Sequence, residues 1–194
     1  MSTPPSRRDE ILAAGLASFL EHGVAGASIE DVRARSGASV GSIYHHFGGK
    51  RALAGAVYTA ALASYQERFL DTLARCRDDA GAGVREVVLT HLRWCLDERP
   101  DYARFLLFHA DTARAAAGDE LIALNREFFD AALAWLRPHT RAGHLRELDV
   151  DLLYALWLGP AQEYCRLVLS SRVGTGSVSA RAELADGAWR TLRG

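Results

Sequence analysis

A run of short helix-forming segments near the amino terminus, from Ser28 to Arg51, constrains the fold more than any other stretch of this sequence. Ser28 stands where a helix would begin, and Asp31 follows at the spacing of a capping box. Gly37 comes where a left-handed residue can end that helix. Because two helices joined by so tight a turn must cross at a steep angle, the pattern predicts a helix-turn-helix unit.

The second helix of this unit has an inward and an outward face. Ile43 and Phe47 are one turn apart, so both are predicted to point into the core. At about 100° per residue, the opposite face and its flanks consist of Gly41, Ser42, Tyr44 and His45. A bare glycine lets the helix backbone approach another surface, and the polar side chains offer hydrogen bonds to phosphates or base edges.

The residues after this helix begin a long helical pattern with Gly48-Gly49-Lys50-Arg51. Backbone N–H groups at the start of a helix have no partner within the helix, and they attract anions. Together with two basic side chains, they predict a phosphate site.

The run from Ser28 to Leu53, which ends in SIYHHFGGKRAL, closely resembles the DNA-binding domain of TetR-family transcriptional regulators. In that family a Tyr-x-His-Phe segment closes the recognition helix and a lysine opens the next helix. The resemblance implies a homodimeric, ligand-responsive repressor that places two recognition helices in successive major grooves of a palindromic double-stranded DNA operator. It is specific over roughly the first quarter of the chain, whereas the remainder matches in length and helical layout.

The same resemblance assigns DNA contacts to individual residues. Bases are approached by Ser39, Val40, Gly41 and Ser42, and phosphates or groove edges are met by Ser28, Tyr44, His45, His46 and Lys50. Val40 departs from the polar residues often found there, so contact with a thymine methyl and packing nearer the core are both open. For His46, which flanks the inner face, a packed or capping imidazole is the alternative.

One competing motif lies in the turn itself. Gly37-Ala38-Ser39-Val40-Gly41 fits the G-x-S-x-G pattern of a hydrolase nucleophile elbow. That elbow needs a buried strand before it, whereas the preceding residues 30–35 are charged and helical in pattern. The hydrolase interpretation is therefore not favoured.

Composition favours an all-α protein, because alanine, leucine and arginine are abundant while runs of β-branched residues are scarce. The periodicity predicts about nine helices. We expect a three-helix DNA-binding domain at residues 1–48 and a larger helical-bundle domain at residues 49–194, with residues 49–78 as a long connecting helix. The net charge of −1 gives no hint of nucleic acid, so the DNA hypothesis depends on the motif.

The rest of the chain divides at turn-forming residues. A flexible arm is expected at residues 1–6, followed by a helix at 9–22 that Gly23 ends. Further helices are expected at 84–98 and from Pro100, and after a linker at 115–118 another helix should end near Pro138. The last segments are a helix at 149–173 bent at Gly159-Pro160, a loop at 174–179 and a helix at 180–192.

The segment at residues 149–173 is apolar nearly all round, so it should be buried on two sides, the second side being another copy of the chain. The predicted interface of this homodimer consists of Leu153, Trp157, Ala161, Tyr164, Val168, Leu184 and Ala188.

Aromatic residues of the larger domain exceed what simple helical stripes require, which predicts a pocket for an unknown small apolar effector. The candidate lining residues are Trp94, Phe105, Phe108, His109, Phe128, Phe129 and Trp157, and packing in the core is the alternative for each. An effector would act by binding the DNA-incompetent form more tightly than the DNA-bound form.

A second class of function is a small α-helical enzyme or carrier that uses the same pocket. No HExxH motif, phosphate loop or dinucleotide fingerprint supports an enzyme, so no catalytic residue and no cofactor is predicted. His139 and His144 lie five residues apart beside a glycine, which is weak support for a metal site, and none is predicted.

The three cysteines, Cys76, Cys95 and Cys165, are widely spaced and form no C-x-x-C motif, which fits a reducing cytoplasm. A redox switch is the alternative, but Cys95 and Cys165 sit among apolar residues and are interpreted as inert. Neither a signal peptide nor a membrane span is predicted, so the expected location is the cytoplasm, without a membrane partner.

Overall fold

The computed structural model describes residues 4–172 and 178–194. Within them the chain forms eleven α-helices and one π-helical segment, and the prediction of an all-α fold is confirmed. The helices are α1 (Arg7–Gly26), α2 (Ile29–Ser36), α3 (Val40–Phe47), α4 (Lys50–Arg75), α5 (Ala80–Arg93), the π-helical segment (Trp94–Glu98), α6 (Pro100–Phe108), α7 (Ala110–Ala116), α8 (Gly118–Arg141), α9 (Val150–Trp157), α10 (Gly159–Leu169) and α11 (Val178–Leu192). No helix in this described part is long and apolar enough to cross a membrane.

The chain packs as two compact units. The first consists of Met1–Ala63 with Asp101–Leu124, and the second of Ser64–Pro100 with Asn125–Gly194. The boundary between Ala63 and Ser64 lies within α4. The two packing units do not divide at residue 48. The predicted domain boundary at that residue therefore remains a prediction about function.

Local capping defines the helices of the first unit. The N–H of Asp31 donates to the Ser28 hydroxyl and the N–H of Ser28 donates to the Asp31 carboxylate, which confirms the predicted capping box of α2. Gly37 ends α2 with a φ of 66°, also as predicted. Gly23, expected to end α1, instead produces a kink inside it with a φ of 70°.

The core of the first unit joins the inner faces of α1, α2 and α3 to α4 and α6. Its most buried side chains are Ile11, Phe19, Val32, Ile43, Leu53, Val57 and Phe105. A Cβ on Gly15 would lie 2.9 Å from Leu53 Cδ2, so only glycine allows α1 and α4 to pack this closely without a shift. The predicted inward direction of Ile43 and Phe47 is confirmed, since 0% and 8% of their surface is exposed.

The second unit is held by α5 packed against α10 and α11, with large aromatic side chains in its interior. The indole N–H of Trp157 donates to the Val84 carbonyl at 3.0 Å, and that of Trp135 donates to the Cys76 carbonyl at 3.1 Å. Buried indole groups need such partners, and these bonds fix both rings in place.

Two further predicted boundaries are wrong. Pro138 does not end a helix, because α8 continues to Arg141 and buries His139, whose Nε2 lies 3.0 Å from the Arg77 carbonyl oxygen. The linker at residues 115–118 is mostly helical, since α7 ends at Ala116 and α8 begins at Gly118. Tertiary packing outweighs local propensity at both places.

The single helix expected at residues 149–173 is two helices, α9 and α10, which break at Leu158 beside the predicted bend. Its expected end at Val173 and most of the expected loop at residues 174–179 lie outside the described residues, as do the first three residues of the expected amino-terminal arm.

Candidate nucleic-acid interface

Helix α3 presents an outward face that its own capping leaves accessible. The Ser39 hydroxyl accepts a hydrogen bond from the N–H of Ser42 at 3.1 Å, which starts the helix, and Gly48 ends it with a φ of 73°. The outward face carries two large exposed side chains, Val40 at 40% and Tyr44 at 51%. The face therefore presents an aliphatic and an aromatic side chain together with the exposed His45 and His46, while its opposite side is core.

The exposure of Val40 and His46 does not favour packing in the core, while their contact with DNA stays a prediction. Val40 is not packed in the core, because it is the first residue of the helix and projects from its end. His46 is exposed as well, with its ring 5.3 Å from that of His45 and 6.3 Å from that of Phe47. Both side chains are thus accessible to a partner.

Gly41 lies in the middle of this exposed face. A Cβ built on it would meet only Ser39 Oγ, at 3.9 Å, so the protein itself leaves room for a side chain there. The fold of the free chain therefore does not require a glycine at position 41.

Lys50 is anchored to the protein by a pair of hydrogen bonds that the sequence did not reveal. Its ammonium donates to the carbonyl oxygens of Ala25 and Ala27, both at 2.8 Å. It thereby ties the start of α4 to the connection between α1 and α2. Since an ammonium has three donors, one remains for a phosphate.

Ser28 is similarly occupied, because its hydroxyl donates to the Asp31 carboxylate at 2.7 Å while accepting from the Asp31 N–H. These hydrogen bonds lower the pKa of the Asp31 carboxyl. A phosphate has only acceptors to offer, so the predicted contact of Ser28 with DNA requires its hydroxyl to exchange partners.

The arginines near this surface are engaged with other side chains. Arg33 donates to Glu30 at 2.7 Å, which lowers the pKa of that carboxyl, and Arg35 pairs with Glu21. Arg8 lies over the Phe47 ring at 5.2 Å from its centroid. Exposed ion pairs contribute little free energy, so these arginines can exchange their partners for a phosphate at small cost.

The predicted effector residues fall in both units. In the second unit, Trp94 and Trp157 are only 2% and 4% exposed, and they belong with Phe128 to an aromatic cluster around Tyr65 and Phe69. Phe129 extends from this cluster and is 45% exposed.

In the first unit, Phe105 is fully buried against Phe19, with ring centroids 6.0 Å apart. His109 stacks on Phe105 at 6.4 Å, and Phe108 is 41% exposed. Trp94, Trp157 and Phe105 thus have clear packing roles in the free chain, while the pocket itself stays a prediction.

The predicted dimer residues also differ in exposure. Trp157, Ala161 and Ala188 are only 4%, 1% and 6% exposed within a single chain, so they offer little accessible surface to a second copy. The residues that remain half-exposed are Leu153, Tyr164, Val168 and Leu184. Only these four of the predicted set can make direct contacts in a dimer.

His91, Cys95 and Cys165 form a cluster in the second unit that the sequence did not reveal. Their three ligand atoms lie within 4.8 Å of one another. Hydrogen bonding with Cys95 lowers the pKa of the Cys165 thiol. The spacing of His91 and Cys95, one helical turn apart, was visible in the sequence, whereas the approach of Cys165 was not.

Comparison with known proteins gives one family and one fold. Residues 11–57 match the model of bacterial regulatory proteins of the tetR family. The chain is similar to a TetR family transcription regulator from Marinobacter aquaeolei VT8, with 21% identity, 96% of this chain and 95% of that chain covered, and a TM-score of 0.81. No curated protein matches the sequence.

Two further solved structures share the fold. A putative TetR family regulator from Shewanella sp. PV-4 has 17% identity, covers 98% of this chain and 100% of its own, and has a TM-score of 0.75. The transcriptional regulator FadR from Bacillus subtilis, in complex with stearoyl-CoA, has 15% identity, covers 93% and 95%, and has a TM-score of 0.73.

Proposed function

We propose that this chain is a ligand-responsive repressor of transcription in the cytoplasm and a member of the TetR family, because residues 11–57 match the model of bacterial regulatory proteins of the tetR family. Two copies of the chain bind a palindromic operator in double-stranded DNA, and a small apolar molecule releases them. The family model describes regulatory proteins, which favours this function over a small helical enzyme or carrier.

The observation that carries the proposal is the outward face of α3. Val40 and Tyr44 are large, exposed and not needed in the core, and Gly41 between them leaves the helix backbone bare. An α-helix fits the major groove of B-form DNA, where an aliphatic side chain can contact a thymine methyl and a phenol can donate to a phosphate. We propose that Ser39, Gly41, Ser42, His45 and His46 complete this contact surface.

The direct test is a fluorescence anisotropy titration of the full chain with labelled duplexes from the DNA that flanks its own gene. We expect one duplex containing an inverted repeat to bind at least about 1,000 times more tightly than a scrambled duplex at the same salt concentration. Equal affinity for all duplexes would contradict sequence-specific regulation.

We propose that the homodimer forms through the half-exposed residues of α9, α10 and α11 named above. A second copy would cover the exposed apolar side chains of α9, among which Leu152 is 47% and Tyr154 is 50% exposed. Sedimentation equilibrium should give twice the mass of one chain without DNA. A monomer at micromolar concentration would contradict this arrangement.

We propose an acyl chain or a similar apolar molecule as the effector, since the structural relative FadR from Bacillus subtilis was solved with stearoyl-CoA. Gln66 adds a polar feature to the second unit: it is buried, its Nε2 donates to Asn125 at 2.9 Å, and within the described residues its Oε1 has no partner. An orphaned acceptor of this kind would favour an effector that carries a hydrogen-bond donor.

The effector is tested by adding acyl-CoA thioesters of increasing chain length, stearoyl-CoA among them, to the preformed operator complex. Release that strengthens with chain length and saturates would support an apolar site. Operator binding that no thioester weakens would contradict this class of effector.

Replacing Lys50 with methionine is expected to weaken both the fold and DNA binding. The variant loses two hydrogen bonds from a charged donor, each contributing about 1.5–3 kcal/mol at most, so its unfolding midpoint in urea should fall. If Lys50 also contacts a phosphate, a plot of the logarithm of the operator-binding constant against the logarithm of salt concentration should become shallower by about 0.9 for each Lys50 lost. An unchanged slope with reduced stability would restrict Lys50 to its anchoring role.

A further inference from the structure

Three side chains with metal-binding atoms meet in the interior of the second unit. His91 lies on α5, Cys95 on the π-helical segment that follows it, and Cys165 on α10. They are 6%, 4% and 0% exposed, and their ligand atoms all lie within 4.8 Å of one another. His91 Nε2 is 3.8 Å from Cys95 Sγ, close to the separation of two ligands of one metal ion.

The histidine is oriented by a second residue. The Tyr65 hydroxyl oxygen lies 3.0 Å from His91 Nδ1, where it can accept the proton of that nitrogen. In the tautomer with the proton on Nδ1, Nε2 carries a lone pair and lies on the side of the ring that faces the sulfur atoms. A metal-binding histidine almost always donates its other ring N–H to such a partner, so the arrangement has the outer layer of a metal site as well as its ligands.

The backbone at Cys95 is also unusual. The N–H of Arg99 donates to the Trp94 carbonyl at 2.8 Å, a bond across five residues that widens the helix turn containing Cys95. Such π-helical turns are rare and occur often at functional sites.

The ligand set selects the class of ion. Two thiolates and one imidazole are soft ligands, which favour zinc and copper(I) over magnesium or calcium. Binding removes one proton from each thiol, so the site with Zn²⁺ carries no net charge and that with Cu⁺ carries one negative charge. Zn²⁺ would complete four-coordination with water, and Cu⁺ is satisfied by the three protein ligands.

We propose that His91, Cys95 and Cys165 bind one thiophilic d10 metal ion, Zn²⁺ or Cu⁺, with Tyr65 as the residue that positions the imidazole. A disulfide between the two cysteines is the other chemistry open to these sulfurs. It would need an external oxidant and would leave the orientation of His91 unexplained. The metal site is independent of the proposed DNA function, since it requires only the packing of the second unit.

The test is a titration of the reduced, metal-free full chain with Zn²⁺, and separately with Cu⁺ under anaerobic conditions, each in competition with a chromophoric chelator. We expect one ion per chain for at least one of the two metals. Cys95→Ser and Cys165→Ser should each weaken binding by more than about 100-fold, because even the loss of an outer-layer partner costs about 10–100-fold. Tyr65→Phe should fall within that smaller range.

Cys76→Ser is the matched control, since Cys76 is the third cysteine and lies outside the cluster, and it should bind like the wild type. Co²⁺ added to the wild type gives a readout that needs no variant, because thiolate ligation produces an intense charge-transfer absorption. The inference is overturned if neither Zn²⁺ nor Cu⁺ binds stoichiometrically, or if a folded Cys95→Ser or Cys165→Ser chain binds as tightly as the control.

Discussion

Gly41→Ala is expected to weaken operator binding at least tenfold, which is about 1.4 kcal/mol, while leaving the free protein folded. A Cβ at position 41 meets nothing closer than 3.9 Å in the free chain, so the methyl group costs nothing in packing. Alanine is also favoured over glycine inside a helix by about 1 kcal/mol, so the unfolding midpoint should stay level or rise. Any loss of affinity therefore arises in the complex, where the methyl group would hold the helix away from the bases.

Gly187→Ala provides the matched control for this experiment. Gly187 lies in α11 of the second unit, and a Cβ there would meet only the end of the Arg190 side chain, at 3.8 Å. Both variants should gain stability, and only Gly41→Ala should lose affinity in the anisotropy titration. If Gly41→Ala binds the operator as well as the wild type, the backbone of α3 does not approach DNA closely at this point.

The features that the sequence predicted well are those set by neighbours in the chain. The capping box of Ser28 and Asp31, the left-handed Gly37 and the inward pair Ile43 and Phe47 each depend on residues within one or two turns. Such interactions have the same geometry in any protein. The helix-turn-helix from Ser28 to Phe47 could accordingly be predicted from its local sequence.

The features that the sequence did not predict depend on partners far away in the chain. Lys50 reaches carbonyl groups more than twenty residues earlier, and His91 and Cys95 meet Cys165 across two helices. The helix around Pro138 continues because burial of His139 in its last turn, with Nε2 near the Arg77 carbonyl oxygen, compensates for the missing N–H of proline. These long-range contacts cannot be deduced from the spacing of the residues along the chain.

Trp157→Ala is expected to destabilise the protein by about 3–5 kcal/mol, the cost of removing a buried aromatic side chain and leaving a cavity. The Trp157 ring is 4% exposed and packs against Phe69 and Trp135, with centroid distances of 5.5 Å and 6.1 Å. Its indole N–H donates to Val84 at 3.0 Å. Urea unfolding followed by circular dichroism at a fixed chain concentration measures the loss.

Trp157 was predicted both to line a pocket and to face a second copy of the chain. Two companion variants separate these roles from a role in the core. Trp157→Phe keeps an aromatic ring but loses the hydrogen bond to Val84, so the part of its cost due to that bond should be about 1 kcal/mol. Phe129→Ala removes a ring that contacts Phe128 at the edge of the same aromatic cluster and is 45% exposed, and it should change stability by less than Trp157→Ala does. A Trp157→Ala chain that unfolds at the wild-type midpoint, yet fails to dimerise or to respond to the effector, would make this residue part of a binding surface instead. The burial and the indole hydrogen bond favour the structural role, because a ring held on both sides and at its only polar atom is not free to meet a partner.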